Sequence, residues 1–318
     1  MVEGPADALA WLNGRVRAPL RLTVAGRPGA GRRTVAEAML AAGALVVGAD
    51  QDPEVTLYVY VEAPTDEDRD ALSAMAGHDR PCLAVLNKAD LCGFRGTGPM
   101  AAAAQRCLTL TRQTGVPSAP LAALTARAGC RGLDDVVLVG VRTLALDPAR
   151  LGTPLRRVLA GELDFYGLAH AIAAVRAGAA ADGVAAALRS ASGVDGVLAA
   201  VERAGAPVRY RRFTAALASR LSFSDALHRD DAVITERAAV AAGVLRASGL
   251  GPAGLAPEDG AGTAECLHAA IAWQRYARGP VRELHRACAR DLSRAWLRSW
   301  AAQRGAAQRG ATQRGATR

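Results

Sequence analysis

CLAVLNKAD, residues 82–90, carries the strongest structural signal in this chain. Its first five residues are apolar, as in a strand buried on both faces of a parallel sheet. Asn87, Lys88 and Asp90 follow where such a strand presents polar side chains at its carboxyl end. Lys88 is the only lysine among 318 residues, whereas arginine occurs 38 times. We therefore expect a function that needs this lysine; the alternative is a strand end followed by a turn of exposed polar residues.

A glycine-rich loop occurs earlier in the chain, at residues 26–34, with the sequence GRPGAGRRT. The residues before it, 20–25, predict a strand, and Val35, Met39 and Leu40 after it predict a helix. Glycines let backbone N–H groups converge on an anion, and the amino end of a helix attracts negative charge. The loop is therefore predicted to bind phosphate, with a simple glycine turn between strand and helix as the alternative.

The Asn-Lys-x-Asp sequence at residues 87–90 resembles the guanine-specificity motif of the P-loop GTPases. In that family the aspartate accepts hydrogen bonds from N1 and N2 of guanine, the asparagine contacts the far edge of the base, and the lysine stem lies along the ring. An arginine at position 88 would bring a bulky planar group where a slim apolar stem is needed. The spacing of Gly26 and Gly31 is similar to the Walker A loop, and the Gly-Arg-Pro opening is similar to the Era and Der branch of the family.

The resemblance implies GTP or GDP as the ligand and a set of nucleotide-binding residues. Part of that set is the triplet at 125–127, which follows a predicted strand at 120–124 and resembles the Ser-Ala-Lys base-contact loop of the family. The implied nucleotide-binding residues are Gly26, Arg27, Pro28, Gly29, Ala30, Gly31, Arg32, Arg33, Thr34, Asn87, Lys88, Asp90, Thr125, Ala126 and Arg127.

The phosphate loop departs from the family pattern at two positions. Arg32 stands where the family has the lysine that bridges the terminal phosphates, and Arg33 stands where it has the serine or threonine that binds Mg²⁺. A one-residue slip would make Arg33 the lysine equivalent and Thr34 the magnesium ligand, but it requires an insertion in a tight loop. Arginine carries the charge without the compact geometry of an ammonium group, so we expect phosphate binding to survive better than catalysis.

The segment between the two motifs is short for this family and contains no D-x-x-G switch sequence. The resemblance therefore implies no catalytic residue and at most a slow GTPase, because the segment that senses the γ-phosphate and positions water is missing. Whether Mg²⁺ binds stays open. Asp50 or Asp52, at a predicted strand end, is a candidate for the magnesium-linked aspartate, and the alternative is a solvated loop acid.

The predicted fold class is α/β: a shortened P-loop NTPase G domain with a mostly parallel sheet, followed by an all-α domain. The G domain is assigned to residues 1–148 and the helical domain to 149–300, because no strand pattern appears beyond Pro148. Residues 301–318, with glycine at every fifth position, are predicted to form a disordered tail. The helical patterns lie near 161–176, 193–204, 209–222, 230–248 and 263–278.

The last predicted helix has two different faces. Apolar residues recur at every fourth position from Leu284 to Trp300, and arginines do so from Arg282 to Arg298 on roughly the opposite face. All of the net charge of +9 lies in residues 271–318, because the rest of the chain balances acidic and basic residues. One interpretation is a packed helix with a solvated arginine face. The other is a surface that binds an anionic membrane, with nucleic acid less favoured because the tail lacks aromatic residues.

Two functions follow from these patterns. The first is a guanine-nucleotide-binding GTPase-like protein coupled to a helical output domain. The second is a pseudo-GTPase scaffold that docks a partner GTPase, or an anionic membrane surface through its basic C-terminal helix. The six cysteines form no C-x-x-C pair, and no stretch has the pattern of a signal peptide or membrane span. We therefore expect a cytoplasmic protein, and the alternative is one that associates peripherally with a membrane.

Overall fold

The computed structural model describes residues 5–76, 80–93, 98–219, 230–250 and 261–316. The chain divides into two compact units, which we call the sheet unit and the helical unit. The sheet unit is Pro19–Gly205, and the helical unit combines Met1–Ala18 with Ala206–Arg318. This division differs from the boundary at residue 148 that the sequence predicts.

One parallel sheet lies in the sheet unit. Within the described residues its strands are β1 Arg21–Gly26, β2 Leu45–Val46, β3 Val55–Val61, β4 Cys82–Asn87 and β5 Ser118–Leu121. Their order across the sheet is β2-β1-β3-β4-β5, and every neighbouring pair is parallel. β3 and β4 are buried along almost their whole length, which explains their continuous apolar sequences. The predicted α/β class with a parallel sheet is confirmed.

Helices make up most of the remaining described chain. They are α1 Pro5–Arg17, α2 Arg32–Ala41, α3 Asp66–Ala76, α4 Pro99–Thr114, α5 Ala123–Arg131, α6 Asp135–Leu146, α7 Thr153–Glu162, α8 Phe165–Arg176, α9 Ala181–Ser192, α10 Val194–Ser219, α11 Asp231–Ala247, α12 Thr263–Arg278 and α13 Glu283–Ala316. The sequence pattern does not predict α9. It also predicts a break between 204 and 209, where the structure has one helix, α10, with Pro207 inside it.

The helices between residues 149 and 205 pack onto the helices that follow the sheet. A cluster of buried apolar residues includes side chains from all five helices α5, α6, α7, α8 and α9. Among them are Leu138, Leu159 and Leu188. α9 crosses α5 at Gly129, where an added Cβ would lie within 3.0 Å of the Arg189 backbone. This shared core explains why α7, α8 and α9 belong to the sheet unit.

The helical unit contains two described apolar clusters. α1 contributes Leu12 and Val16 to the first. Their partners there are Phe213 of α10 and Val233 of α11. The second cluster joins α11, α12 and α13 and includes Trp296. The first described helix therefore shares a core with α10 and α11.

α13 continues through most of the segment predicted to be a disordered tail. It ends at Ala316, whereas the sequence predicts disorder over 301–318; residues 317–318 lie outside the described residues. Alanine, glutamine and arginine are good helix formers, and glycine is only about 1 kcal/mol less favourable than alanine per position. Because the first half of α13 is already packed, the helix continues without the unfavourable nucleation step.

The apolar face of α13 is packed inside the helical unit. Trp296 is 1% exposed, and Trp300 packs against the same cluster, while Arg290 and Arg294 are exposed. Trp296 is therefore not available as a membrane anchor while the helix stays packed. Among the described residues no single helix has the length and hydropathy of a membrane span, and two bent pairs of neighbouring helices meet that test only together.

Candidate functional site

The candidate site lies at the carboxyl ends of β1 and β4. Residues 26–31 lead from β1 into α2 and contain three glycines with positive φ: 133° at Gly26, 84° at Gly29 and 85° at Gly31. Residues with a Cβ atom rarely adopt positive φ, whereas glycine does so at little cost. Gly26 also approaches β3 so closely that a Cβ would lie within 3.0 Å of the Val59 carbonyl oxygen. The path of the loop therefore depends on its glycines.

Asn87 joins three segments of the site. It is 3% exposed; its Nδ2 donates a hydrogen bond to the Ala30 carbonyl at 2.9 Å, and its Oδ1 accepts one from the Ala123 N–H at 3.3 Å. A Cβ at Gly31 would lie within 3.0 Å of Asn87 Nδ2, so this glycine leaves room for the amide. Asn87 is thus not an exposed residue of a turn, since it ties β4 to the glycine loop and to the start of α5.

Lys88 and Asp90 follow with contrasting surroundings. Lys88 is exposed and has a left-handed backbone with φ of 55°. Asp90 lies in a short 3₁₀ turn, is 7% exposed and accepts no hydrogen bond from any other described residue. Burial first, and then the negative charge of Asp164, raise the pKa of the Asp90 carboxyl, while a hydrogen bond from its own backbone N–H and the positive charge of Lys88 oppose the rise. Its own backbone N–H is the only described donor to this carboxylate, which leaves room for a ligand that brings further N–H groups.

A cavity of about 1200 Å³ opens beside these residues, and all of its lining belongs to the sheet unit. More than half of its other lining residues come from α7, α8 and the two residues between these helices, and most of the lining is apolar. The volume is larger than the roughly 300–1,000 Å³ of most small-molecule sites. Five of the implied nucleotide-binding residues line it, namely Gly31, Thr34, Asn87, Lys88 and Asp90.

Asp164 brings a second carboxylate to this cavity. It is the N-cap of α8, and its Oδ1 accepts hydrogen bonds from the Gly167 N–H at 2.6 Å and from Thr125 Oγ1 at 2.9 Å. Tyr166 lines the same cavity, and burial first, followed by the charges of Asp90 and Asp164, raises the pKa of its hydroxyl. An aspartate before a helical stretch is a cap signal in the sequence, but nothing in the spacing relates it to residue 90.

No protein-family model, curated protein or solved structure matches the chain. The likeness to the P-loop GTPases accordingly rests on the two sequence motifs. The fold that accompanies them is an α/β fold with a parallel sheet, in which both motifs reach the same cavity.

Thr125 and Ala126, implied as base-contact residues, are buried in α5 and do not line the cavity. β5 ends at Leu121, so the chain reaches the cavity earlier, with Ala123 and Leu124. Apolar residues continue without a break from this strand into the helix, and a short apolar run does not distinguish the two. The sequence predicts that residues 125–127 contact the base. In the structure, the two residues before them, Ala123 and Leu124, line the cavity instead.

Two arginines of the implied site are paired with Glu37 on α2. Arg127 bonds Glu37 and Glu162, each at 3.1 Å, and Arg33 bonds Glu37 at 2.9 Å. These hydrogen bonds, from Arg33 first and then Arg127, lower the pKa of the Glu37 carboxyl. Among the described residues, Arg32 makes no ion pair and is exposed in the first turn of α2. Arg32 is thus the arginine of the loop that is available to an anion.

Arg27, the second residue of the loop, is paired with a buried aspartate of α3. Asp68 is fully buried and accepts hydrogen bonds from Arg27 Nε and the Tyr58 hydroxyl, both at 2.9 Å, and from Thr65. Burial opposes ionisation of Asp68, but the bonds from Thr65, Tyr58 and Arg27 outweigh it and lower its pKa. The charge of Arg27 is therefore largely neutralised, and Pro28 next to it is exposed at the tip of the loop.

The two candidates for a magnesium-linked aspartate do not line the cavity. Asp50 is exposed, and Asp52 pairs with Arg21 at 2.8 Å. Within the described part of the chain, no group of three or more His, Cys, Asp or Glu side chains is arranged to hold a metal ion.

Proposed function

We propose that the sheet unit binds a guanine nucleotide, GTP or GDP, with the base at Asp90 and the phosphates at the glycine loop. The observation that carries the proposal is the buried hydrogen bond from Asn87 Nδ2 to the Ala30 carbonyl. It joins the end of β4 to the glycine loop at the edge of one cavity. Two stretches that are distant in sequence and complementary in chemistry thereby serve one ligand.

The surroundings of Asp90 support guanine as the base. Guanine presents N1–H and N2–H on one edge, as donors to the two oxygens of one carboxylate, whereas adenine offers no such pair. A base that covers Asp90 must supply donors to its carboxylate, because an unmet acceptor shut off from water costs about 1–3 kcal/mol, and guanine supplies two. The Lys88 side chain lines the same cavity and supplies a long apolar stem for one face of a planar ring.

The start of α2 supports the position of the phosphates. The first N–H groups of a helix have no partner inside the helix, and no side chain caps α2 at Gly31. Arg32 adds an exposed positive charge in the same turn, and Thr34 lines the cavity. A phosphate group here would accept hydrogen bonds from these N–H groups and lie at the positive end of the helix dipole.

Hydrolysis of GTP is proposed to be slow or absent. In the P-loop GTPases, which the two motifs resemble, a lysine bridges the phosphates and a serine or threonine binds Mg²⁺. Arg32 and Arg33 stand at these positions here, and no D-x-x-G switch sequence follows the loop. We infer that GDP and GTP bind with similar affinity. Because α7 and α8 line the same cavity, occupancy of the site would act directly on the helical part of the sheet unit.

Isothermal titration calorimetry with GDP, GTP and ATP, with and without Mg²⁺, tests the proposal. We expect micromolar binding of both guanine nucleotides with little effect of Mg²⁺. ATP should bind about 100-fold more weakly, because it leaves Asp90 without its donors. Asp90→Asn should weaken GDP and favour the xanthine nucleotide, whose base has an acceptor at position 2. Equal affinity for ATP and GTP, or binding of neither, would overturn the proposal.

A second candidate function is a pseudo-GTPase scaffold that docks a partner, such as a GTPase or an anionic membrane surface. The pairing of Arg27 with Asp68 favours it, because a neutralised arginine in the loop attracts phosphate less. Phe165, 94% exposed and lining the cavity, offers an apolar contact to a partner. The burial of Trp296 argues against the membrane version. If this second function is the correct one, titration of the protein with GDP, GTP or ATP gives no heat of binding.

A further inference from the structure

We propose that Asp164 is a second base-reading residue, whose Oδ2 accepts a hydrogen bond from the exocyclic amino group of guanine. This inference rests on the proposed function and identifies what separates guanine from other purines in the site. It gives a role in recognition to α8, which neither of the two sequence motifs includes.

Asp164 is held in one orientation at the start of α8. Its Oδ1 accepts hydrogen bonds from the Gly167 N–H at 2.6 Å and from Thr125 Oγ1 at 2.9 Å. A Cβ at Gly167 would lie 2.7 Å from Thr125 Oγ1, so the three residues are closely packed. Oδ2 accepts no hydrogen bond from any described residue, and the side chain lines the cavity. One oxygen of Asp164 thus caps the helix, and the other is left for a ligand.

Asp90 provides independent support for a ligand rich in N–H groups. It is 7% exposed, lines the same cavity and accepts no hydrogen bond from any other residue that the structure describes. Asp164 is close enough that its charge adds to the effect of burial in raising the pKa of Asp90. Two neighbouring carboxylates repel each other. A ligand that donates hydrogen bonds to both relieves that repulsion.

The donor pattern of guanine fits two carboxylates better than one. The base has one N–H at N1 and two on its exocyclic amino nitrogen. A single carboxylate accepts the N1–H and one amino N–H, which leaves the second amino N–H without an acceptor. Among mostly apolar walls an unpaired donor is unfavourable. Asp164 Oδ2 supplies the missing acceptor.

Inosine nucleotides test this inference, because hypoxanthine differs from guanine only in lacking the amino group. The experiment is calorimetric titration of the full-length wild-type protein, Asp164→Asn and Asp230→Asn with GDP and IDP. Asparagine still caps α8 through its side-chain oxygen, but it replaces the free acceptor with an NH₂ group. Asp230 is the matched control: it caps α11 through the N–H groups of Ala232 and Val233 and does not line the cavity.

The wild-type protein and Asp230→Asn should both prefer GDP to IDP. We expect Asp164→Asn to reduce this preference about tenfold, mainly through weaker GDP binding. An unchanged preference would overturn the inference and leave Asp164 as a helix cap only. Equal weakening of GDP and IDP together with a lower Tm would overturn it as well. If GDP fails to bind the wild-type protein, the proposed function itself fails, so the two failures are distinguishable.

Discussion

Asp90 carries a titratable charge in a confined part of the candidate site. Burial first, and then the charge of Asp164, raise its pKa in the folded protein above the value of about 3.9 in an unfolded chain. Between these two pKa values the folded protein binds more protons than the unfolded chain. The contribution of Asp90 to stability therefore falls as pH rises through that window. In the ligand-free protein, the ionised carboxylate is destabilising at neutral pH.

Asp90→Asn should accordingly stabilise the ligand-free protein at neutral pH. The gain in the free energy of unfolding is expected to grow as pH rises from about 4 through the raised folded pKa, and then to stay constant. Urea denaturation of the wild-type protein and the variant over a series of pH values measures this gain. A difference that does not depend on pH would contradict the raised pKa.

Asp68→Asn should show the opposite trend with pH. The hydrogen bonds of Asp68 lower its pKa, so its stabilising effect is complete above the unfolded value of about 3.9 and is lost as pH falls through the folded pKa. We expect the variant to lose about 2–4 kcal/mol at neutral pH, since Arg27 and Tyr58 would lose a buried charged acceptor.

The deficit of this variant should shrink in acid in the same urea series. Asp66→Asn is the control, because Asp66 begins the same helix with its side chain 96% exposed, and its effect should stay within about 0.5 kcal/mol. Equal losses in the two variants would show that the buried network around Asp68 adds no stability.

At the scale of elements, long uninterrupted patterns were predictable and short apolar ones were not. β4 and the helix after the glycine loop lie where their sequence patterns predict them. The pattern extends β5 to Leu124, because Ala122 and Ala123 suit a strand and a helix equally well. The cavity residues of β4 and the glycine loop could therefore be predicted. Those of α5 and α8 could not, because their positions depend on packing between distant segments.

The crossing of α5 and α9 can be tested with Gly129→Ala. An added Cβ would lie within 3.0 Å of the Arg189 backbone, so we expect a loss of about 1–3 kcal/mol although alanine favours a helix. Gly196→Ala in α10 is the matched control: no atom lies within 4 Å of the added Cβ, and this change should be neutral or stabilising by up to about 1 kcal/mol. Urea denaturation compares the two variants, and similar effects would contradict the close approach.

At the scale of the whole molecule, the two units do not follow each other along the chain. α1 shares a core with α10 and α11 through Leu12 and Val16, although the whole sheet unit lies between them in the sequence. An amphipathic pattern shows that a helix has a face to bury, but it does not identify the partner. The predicted boundary at residue 148 is therefore placed where the strand patterns end. The two compact units are instead defined by which helices share a buried core.

Leu12→Ala should destabilise the helical unit selectively. Leu12 is 2% exposed beside Phe213, and its truncation should cost about 2–4 kcal/mol through a cavity that the neighbouring helices fill only in part. Hydrogen exchange should then show weaker protection in α1 and α11 and unchanged protection in β3 and β4. Leu108→Ala, at a half-exposed position of α4, is the control. Equal loss of protection in both units would contradict the division.

Lys88 also determines how the protein responds to reagents that attack primary amines. It carries the only side-chain amine in the sequence, and that amine is exposed on the lining of the cavity. Apart from the chain terminus, acylation and carbamylation of amines therefore have a single target, Nζ. Each reaction would convert the ammonium near Asp90 into a neutral group and place a label in the cavity, with no other side chain to protect.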